Sequence, residues 1–165
     1  FDMVTSNLGV NNFSDPQLSM QECYRVTKTD GKLVMTTNLV GHMKEFYTIY
    51  RQVLVDFGNP VYIEQMDQQE AHRGDIGMHH DAVTGVGYRI DDMPIRHFRM
   101  NYANGTALFQ HPMIRFGFLP GWVNCVNESD RETIFVELEQ RLNAHAAEQG
   151  ILRLTIPMLC IIASK

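Results

Sequence analysis

The sequence predicts an α/β fold built on an open sheet, and three observations carry that expectation. Two β-prone runs, residues 1–6 and 32–38, are separated by one helical segment, the spacing of a parallel crossover. The second run is followed by a strongly amphipathic helix, with Met43, Phe46, Tyr47, Tyr50, Val53, Leu54 and Phe57 at three-and-four spacing. The final run, residues 151–163, alternates at first and turns apolar on both faces over 158–162, as a strand covered by helices on both sides would.

In chain order, the first strand stops at Asn7-Leu8-Gly9, which has loop chemistry. Ser14-Asp15-Pro16 supplies a helix start, with Ser14 or Asp15 as cap and proline tolerated in the first turn. Asp30-Gly31 ends that helix, and Lys32–Asn38 is rich in β-branched residues. Gly58-Asn59-Pro60 closes the second helix. Residues 61–84 are polar and partly helical, interrupted at Gly74 and Gly77. Gly85 to Ile90 turns into a third strand, and Ile95 to Tyr102 extends or neighbours it, with Phe98, Met100 and Tyr102 on one face. Asn104-Gly105 is a turn, and residues 106–118 and 120–126 make one or two short helices. Ser129 with Glu132 forms a capping-box pattern opening a long helix over 130–149, and Gly150 ends it. Pro157 asks for a bulge or an unpaired edge in the last strand.

The 165 residues are 44% hydrophobic and 20% charged, the composition of one soluble globular domain. No run is long and apolar enough for a membrane span, and nothing near Phe1 reads as a signal peptide, so a cytoplasmic protein without a membrane partner is expected. Cys23, Cys125 and Cys160 have no paired spacing and fit a reducing compartment. A net charge of −5 argues against a nucleic-acid partner, and the Arg96-to-Tyr102 strand, though basic and aromatic, does not extend into a wider basic surface.

The motifs for common chemistries are weak. Gly85 and Gly87 precede a strand instead of following one, and Ile90 stands where a third glycine would be, which argues against a phosphate loop. His79-His80-Asp81 cannot converge on one ion if helical, since neighbours point about 100° apart, and pairings of Asp75 with His79 or His72 lack a third ligand. No metal site and no catalytic triad is therefore assigned.

The most informative stretch is Phe1-Asp-Met-Val-Thr-Ser-Asn-Leu-Gly9, followed by Phe13, Asp15-Pro16, Glu22-Cys-Tyr-Arg-Val26 and Gly31-Lys-Leu-Val34. In order, these resemble the middle of a class I S-adenosylmethionine-dependent methyltransferase. That family's fourth strand reads "FDxVxS", its next helix ends "ExxRVLKPGG", and a fifth strand follows. Thr27, Thr29 and Asp30 depart from that pattern without moving its frame. The helix after Met43 then looks like the fifth helix, Gly85 to Ile90 like the entry to the sixth strand, and 156–165 like the seventh, antiparallel strand.

The resemblance implies the C-terminal part of a Rossmann-like sheet, mostly parallel, with an antiparallel last strand and a helical insertion. It implies one partial domain over 1–165, a strand-helix-strand-helix core over 1–60, and a mainly helical insertion over 103–149. S-adenosyl-L-methionine is the implied cofactor, with Ser6, Asn7 and Leu8 beside its methionine portion. Asn11 and Asn12, and after the next strand Asn38 and His42, are the implied acceptor-side residues; loop chemistry alone would also explain the asparagines. The family's glycine-rich donor loop has no counterpart here, so an N-terminal half of the same protein, about 90 to 100 residues at roughly 30 per βα unit, is expected upstream. The isolated chain is then expected to be inactive, with an unidentified methyl acceptor and a first strand prone to self-association. A complete, non-enzymatic interaction domain finished by a partner is the alternative.

Overall fold

The computed structural model describes residues 1–71 and 73–165. Two compact units are resolved along the chain. The first comprises residues 1–40, 72–98 and 156–165, and the second comprises residues 41–71 and 99–155.

In the first unit, β1 (Met3–Asn7) and β2 (Lys32–Asn38) flank α1 (Pro16–Val26). They pair in parallel from Met3 opposite Lys32 to Asn7 opposite Thr36, as the single intervening helix requires. Asp15 is the cap of α1, its carboxylate accepting from Leu18 N at 2.8 Å. The last strand, β5 (Leu152–Ser164), enters antiparallel between β2 and β3 (Arg89–Asp92), giving the order β1-β2-β5-β3. β1, β2 and β3 therefore point one way and β5 runs against them. β4 (Ile95–Tyr102) also pairs with β5, extending the run of β3.

Pro157 explains the limit of the β2–β5 ladder. Register runs from Ser164 only to Met158, opposite Asn38, and beyond it the Pro157 carbonyl accepts from Leu39 N outside the ladder. Leu33, Met35, Leu159, Ile161 and Ala163 share one buried face with Met20 of α1 and with Val83 of α4 (Ile76–Thr84). The opposite positions, Met158, Cys160 and Ile162, are only half-buried or nearly so, which corrects the expectation of equal cover on both faces. Phe98 is likewise 52% exposed, so the alternation of β4 does not mark a uniformly buried face.

The second unit is mostly helical. α2 (Lys44–Phe57) ends on Gly58 at φ 86°, a left-handed position that glycine adopts without strain. α3 (Pro60–Ala71) follows directly. Residues 105–123 form three short helices, α5 (Gly105–Gln110), α6 (Pro112–Gly117) and α7 (Leu119–Val123). His111 and Phe118 are non-helical joints ahead of Pro112 and Pro120, whose missing N–H groups break the ladder. α8 (Glu128–Gln149) starts two residues earlier than its capping-box pattern implies. Asn127 is the cap residue and makes no side-chain cap bond, while Ser129 lies inside the first turn. Gly77 likewise lies within α4 and does not interrupt it.

The core of this unit is aromatic. Phe46 stacks on Trp122 at 4.0 Å between ring centroids, and Phe109 meets both rings edge-on. Trp122 Nε1 donates to the Tyr47 hydroxyl at 3.1 Å, and the Tyr50 hydroxyl donates to the Trp122 carbonyl at 3.0 Å. Each buried polar atom of the stack thus has a partner.

Candidate functional site

In an open α/β sheet the carboxyl ends of parallel strands are where ligands bind, and in the first unit those of β1 and β2 lie side by side. Ser6 and Asn7 close β1 on opposite faces. The Thr36 hydroxyl donates to Asn7 Oδ1 at 2.6 Å and lies 3.2 Å from Leu8 N, which also donates to the Thr36 carbonyl at 3.0 Å. These bonds hold Leu8 at φ 56°, a left-handed conformation costing an L-residue about 1–2 kcal/mol. Leu8 is 39% exposed, so burial offsets that strain only in part. Gly9 follows it closely packed, since a Cβ there would come within 2.9 Å of Ser6 Oγ and would oblige that hydroxyl to turn away.

The chain then makes one 3-10 turn, Val10–Asn12. Asn11 Nδ2 donates to the Asn38 carbonyl at 3.1 Å, tying the loop after β1 to the end of β2. Asn12 Nδ2 instead reaches back to the Leu8 carbonyl at 3.4 Å. Asn38 Oδ1 is buried and has no hydrogen-bond partner among the described residues. A buried acceptor left unpaired is uncommon and marks a position where a donor from a ligand would fit. Ser6, Asn7, Leu8, Asn11, Asn12 and Asn38 thus converge at one end of two neighbouring strands.

Beneath this loop lies a cavity of about 280 Å³, lined by Asn11, Phe13, Met20, Met35, Met78 and His79 among others. No sequence motif announced it, because its methionines come from α1, β2 and α4. His79 is buried, with Nε2 2.9 Å from the Arg73 carbonyl, while His80 faces solvent 3.0 Å from Asp81. Asp75 caps α4 by accepting from Met78 N. His72 lies outside the described residues.

His42 belongs to the second unit. It is 1% exposed and stacks on Phe118 at 5.5 Å, and Phe118 in turn lies 5.8 Å from Trp122. Its loop is fixed by Met43 N donating to the Thr155 carbonyl at 2.8 Å, and Met43 adopts φ 55°. Cys125 offers no nucleophile, since burial pushes its thiol up to about 11.

Comparison with known proteins gives a consistent picture. Residues 1–35 match the family described as "Methyltransferase domain". Over 58 residues the chain is 40% identical to demethylmenaquinone methyltransferase from two strains of Bacteroides fragilis, an alignment taking in 33% of this chain and 24% of that protein. A protein of Bacillus halodurans C-125, described as a candidate methyltransferase, superposes on the whole chain with TM-score 0.54 and 14% identity. The YcgJ protein of Bacillus subtilis does so with TM-score 0.51 and 12% identity. The chain covers 64% of each of those two structures and spans about a quarter of the curated relatives it matches.

Proposed function

We propose that this chain is the acceptor-facing, C-terminal part of a class I S-adenosylmethionine-dependent methyltransferase, a reading supported by its opening segment and its fold. The carrying observation is the convergence of Leu8, Asn11 and Asn38, with its unpaired buried amide oxygen, at the carboxyl ends of β1 and β2.

The residues present fit one side of the donor. The strained Leu8 backbone, the Gly9 approach and Asn7 shape an edge for its methionine portion, while Asn38 Oδ1 is free to accept from a ligand amine or hydroxyl. S-adenosyl-L-methionine supplies an electrophilic methyl on a sulfonium, transferred by in-line displacement that requires alignment more than an acid or base. Asn11, Asn12 and Asn38 would position the acceptor, and no residue of this chain is assigned a proton-transfer role. The glycine-rich loop that holds the rest of the donor is assigned to sequence outside these 165 residues, so the isolated chain is inactive. A cytoplasmic location fits three free cysteines and the lack, among the described residues, of any helix long and apolar enough to cross a membrane.

A second reading is favoured by β1, at one end of the strand order, which exposes Met3 at 55% beside Phe1 at 71%. Such an edge invites pairing with the remainder of the protein, with a partner or with a second copy. Sedimentation of the 165-residue chain tests this: concentration-dependent dimers that Met3→Lys abolishes support edge pairing, and a monomer at high concentration refutes it. Calorimetry separates the two readings, since methyl donor binding by a longer natural form of the protein belongs only to the first.

A further inference from the structure

We propose that the second unit contains a binding site for a dianionic oxyanion of the phosphate-monoester class, formed by Lys44, Arg99, His145 and Arg153. These residues line a cavity of about 390 Å³, which leaves room for an organic group beside the anion. They reach it from the start of α2, from β4, from the last turns of α8 and from the start of β5.

The charge balance carries the assignment. The chain is acid-rich, with 19 carboxylates against 14 cations. It supplies acidic partners to Arg25, Lys28, Lys32, Arg51, Arg89 and Arg141. Lys44, Arg99 and Arg153 form no ion pair among the described residues, yet they face one cavity. The cavity's single carboxylate, Glu45, is engaged elsewhere, accepting from Thr155 N at 2.8 Å and from Thr155 Oγ1 at 2.5 Å. Burial opposes its ionisation, but those bonds and the charge of Lys44 hold it below the usual carboxylate range. Three cations against one fixed carboxylate leave two positive charges, the complement of a dianion.

Two further features point the same way. Lys44 occupies the first turn of α2, where its charge opposes the helix dipole unless an anion sits between. The two arginines add planar donor forks suited to phosphate oxygens. The binding does not depend on the methyl-transfer reading.

The test is titration of the 165-residue chain with inorganic phosphate, against sodium chloride at equal ionic strength, followed by amide resonances and by calorimetry. Expected are saturable shifts at Lys44, Glu45 and Arg153 for phosphate alone. Arg99→Ala and Arg153→Ala should each weaken binding by about tenfold or more, the loss of one charge-assisted hydrogen bond. Arg96→Ala, on the same strand but not lining the cavity, should leave it unchanged. Equal responses to phosphate and chloride, or wild-type affinity in both arginine variants, would overturn the proposal. So would capture by anionic-lipid vesicles without saturable binding of free phosphate. No methyl donor is present, so failure here is distinct from failure of the methyl-transfer reading.

Discussion

Replacing Phe46 by alanine tests whether the aromatic stack fixes the loop that carries His42. Phe46 is fully buried, and its ring lies 4.0 Å from Trp122 at an interplanar angle of 25°. The stack continues from Trp122 to Phe118 at 5.8 Å and from Phe118 to His42 at 5.5 Å. Truncation removes the transfer energy of a buried aromatic side chain and leaves a cavity, together costing about 3–5 kcal/mol. Roughly 1 kcal/mol of that is ring–ring interaction beyond burial. Trp122 is the only tryptophan, so its fluorescence reports the event directly. Urea unfolding should show the lost stability, the native emission should move to longer wavelength, and the His42 imidazole resonances should shift. Leu33→Ala is the matched control: also fully buried but in the first unit, it should cost about 2–5 kcal/mol without moving native Trp122 emission. A Phe46→Ala loss below about 1 kcal/mol with unchanged emission would refute the reasoning.

Other outcomes follow from single contacts. Asp91 accepts from Ser164 and, at 2.9 Å, from Lys32, and these partners hold its carboxyl near 2 instead of 3.8. Its folded value is depressed, so its contribution is complete above about pH 4 and is lost as pH falls through about 2; acid titration of Asp91→Asn should lack that portion of the transition. Gly105→Ala should destabilise the second unit by about 1–3 kcal/mol in thermal melting, because the added Cβ would lie 2.6 Å from Leu142 Cβ. Wild-type stability there would mean α5 and α8 are not in close contact. Asn11→Ala should cost about 1 kcal/mol through its bond to the Asn38 carbonyl and loosen the loop after β1, seen as faster amide exchange at Leu8 and Val10. Unchanged exchange would show that this bond does not hold the loop.

Much of this fold is legible because local chemistry and tertiary context agree. The bounds of β2, the three-and-four stripe of α2, the Asp15 cap and the left-handed Gly58 and Gly150 are each specified within a few residues. Failures occur where a local signal has a competitor. Ser129 and Glu132 satisfy a capping pattern, but Asn127 already holds the extended conformation that starts α8. The division at His111 and Phe118 depends on where Pro112 and Pro120 fall against the helix ladder. Convergence of distant residues is less legible still. Leu8, Asn11 and Asn38 follow from a family motif, whereas nothing local announces that Lys44, Arg99 and Arg153 meet, and the acid excess of the whole chain conceals them.

The central claim is that these residues form the acceptor side of a methyltransferase whose donor site needs sequence outside them. Its most direct test is calorimetry with S-adenosyl-L-methionine on the 165-residue chain and on the protein produced from its complete natural reading frame. The account predicts no measurable binding by the chain alone and saturable binding by the complete protein, weakened when Asn7 is replaced by alanine. Micromolar binding by the 165 residues alone, or none by the complete protein, would contradict it.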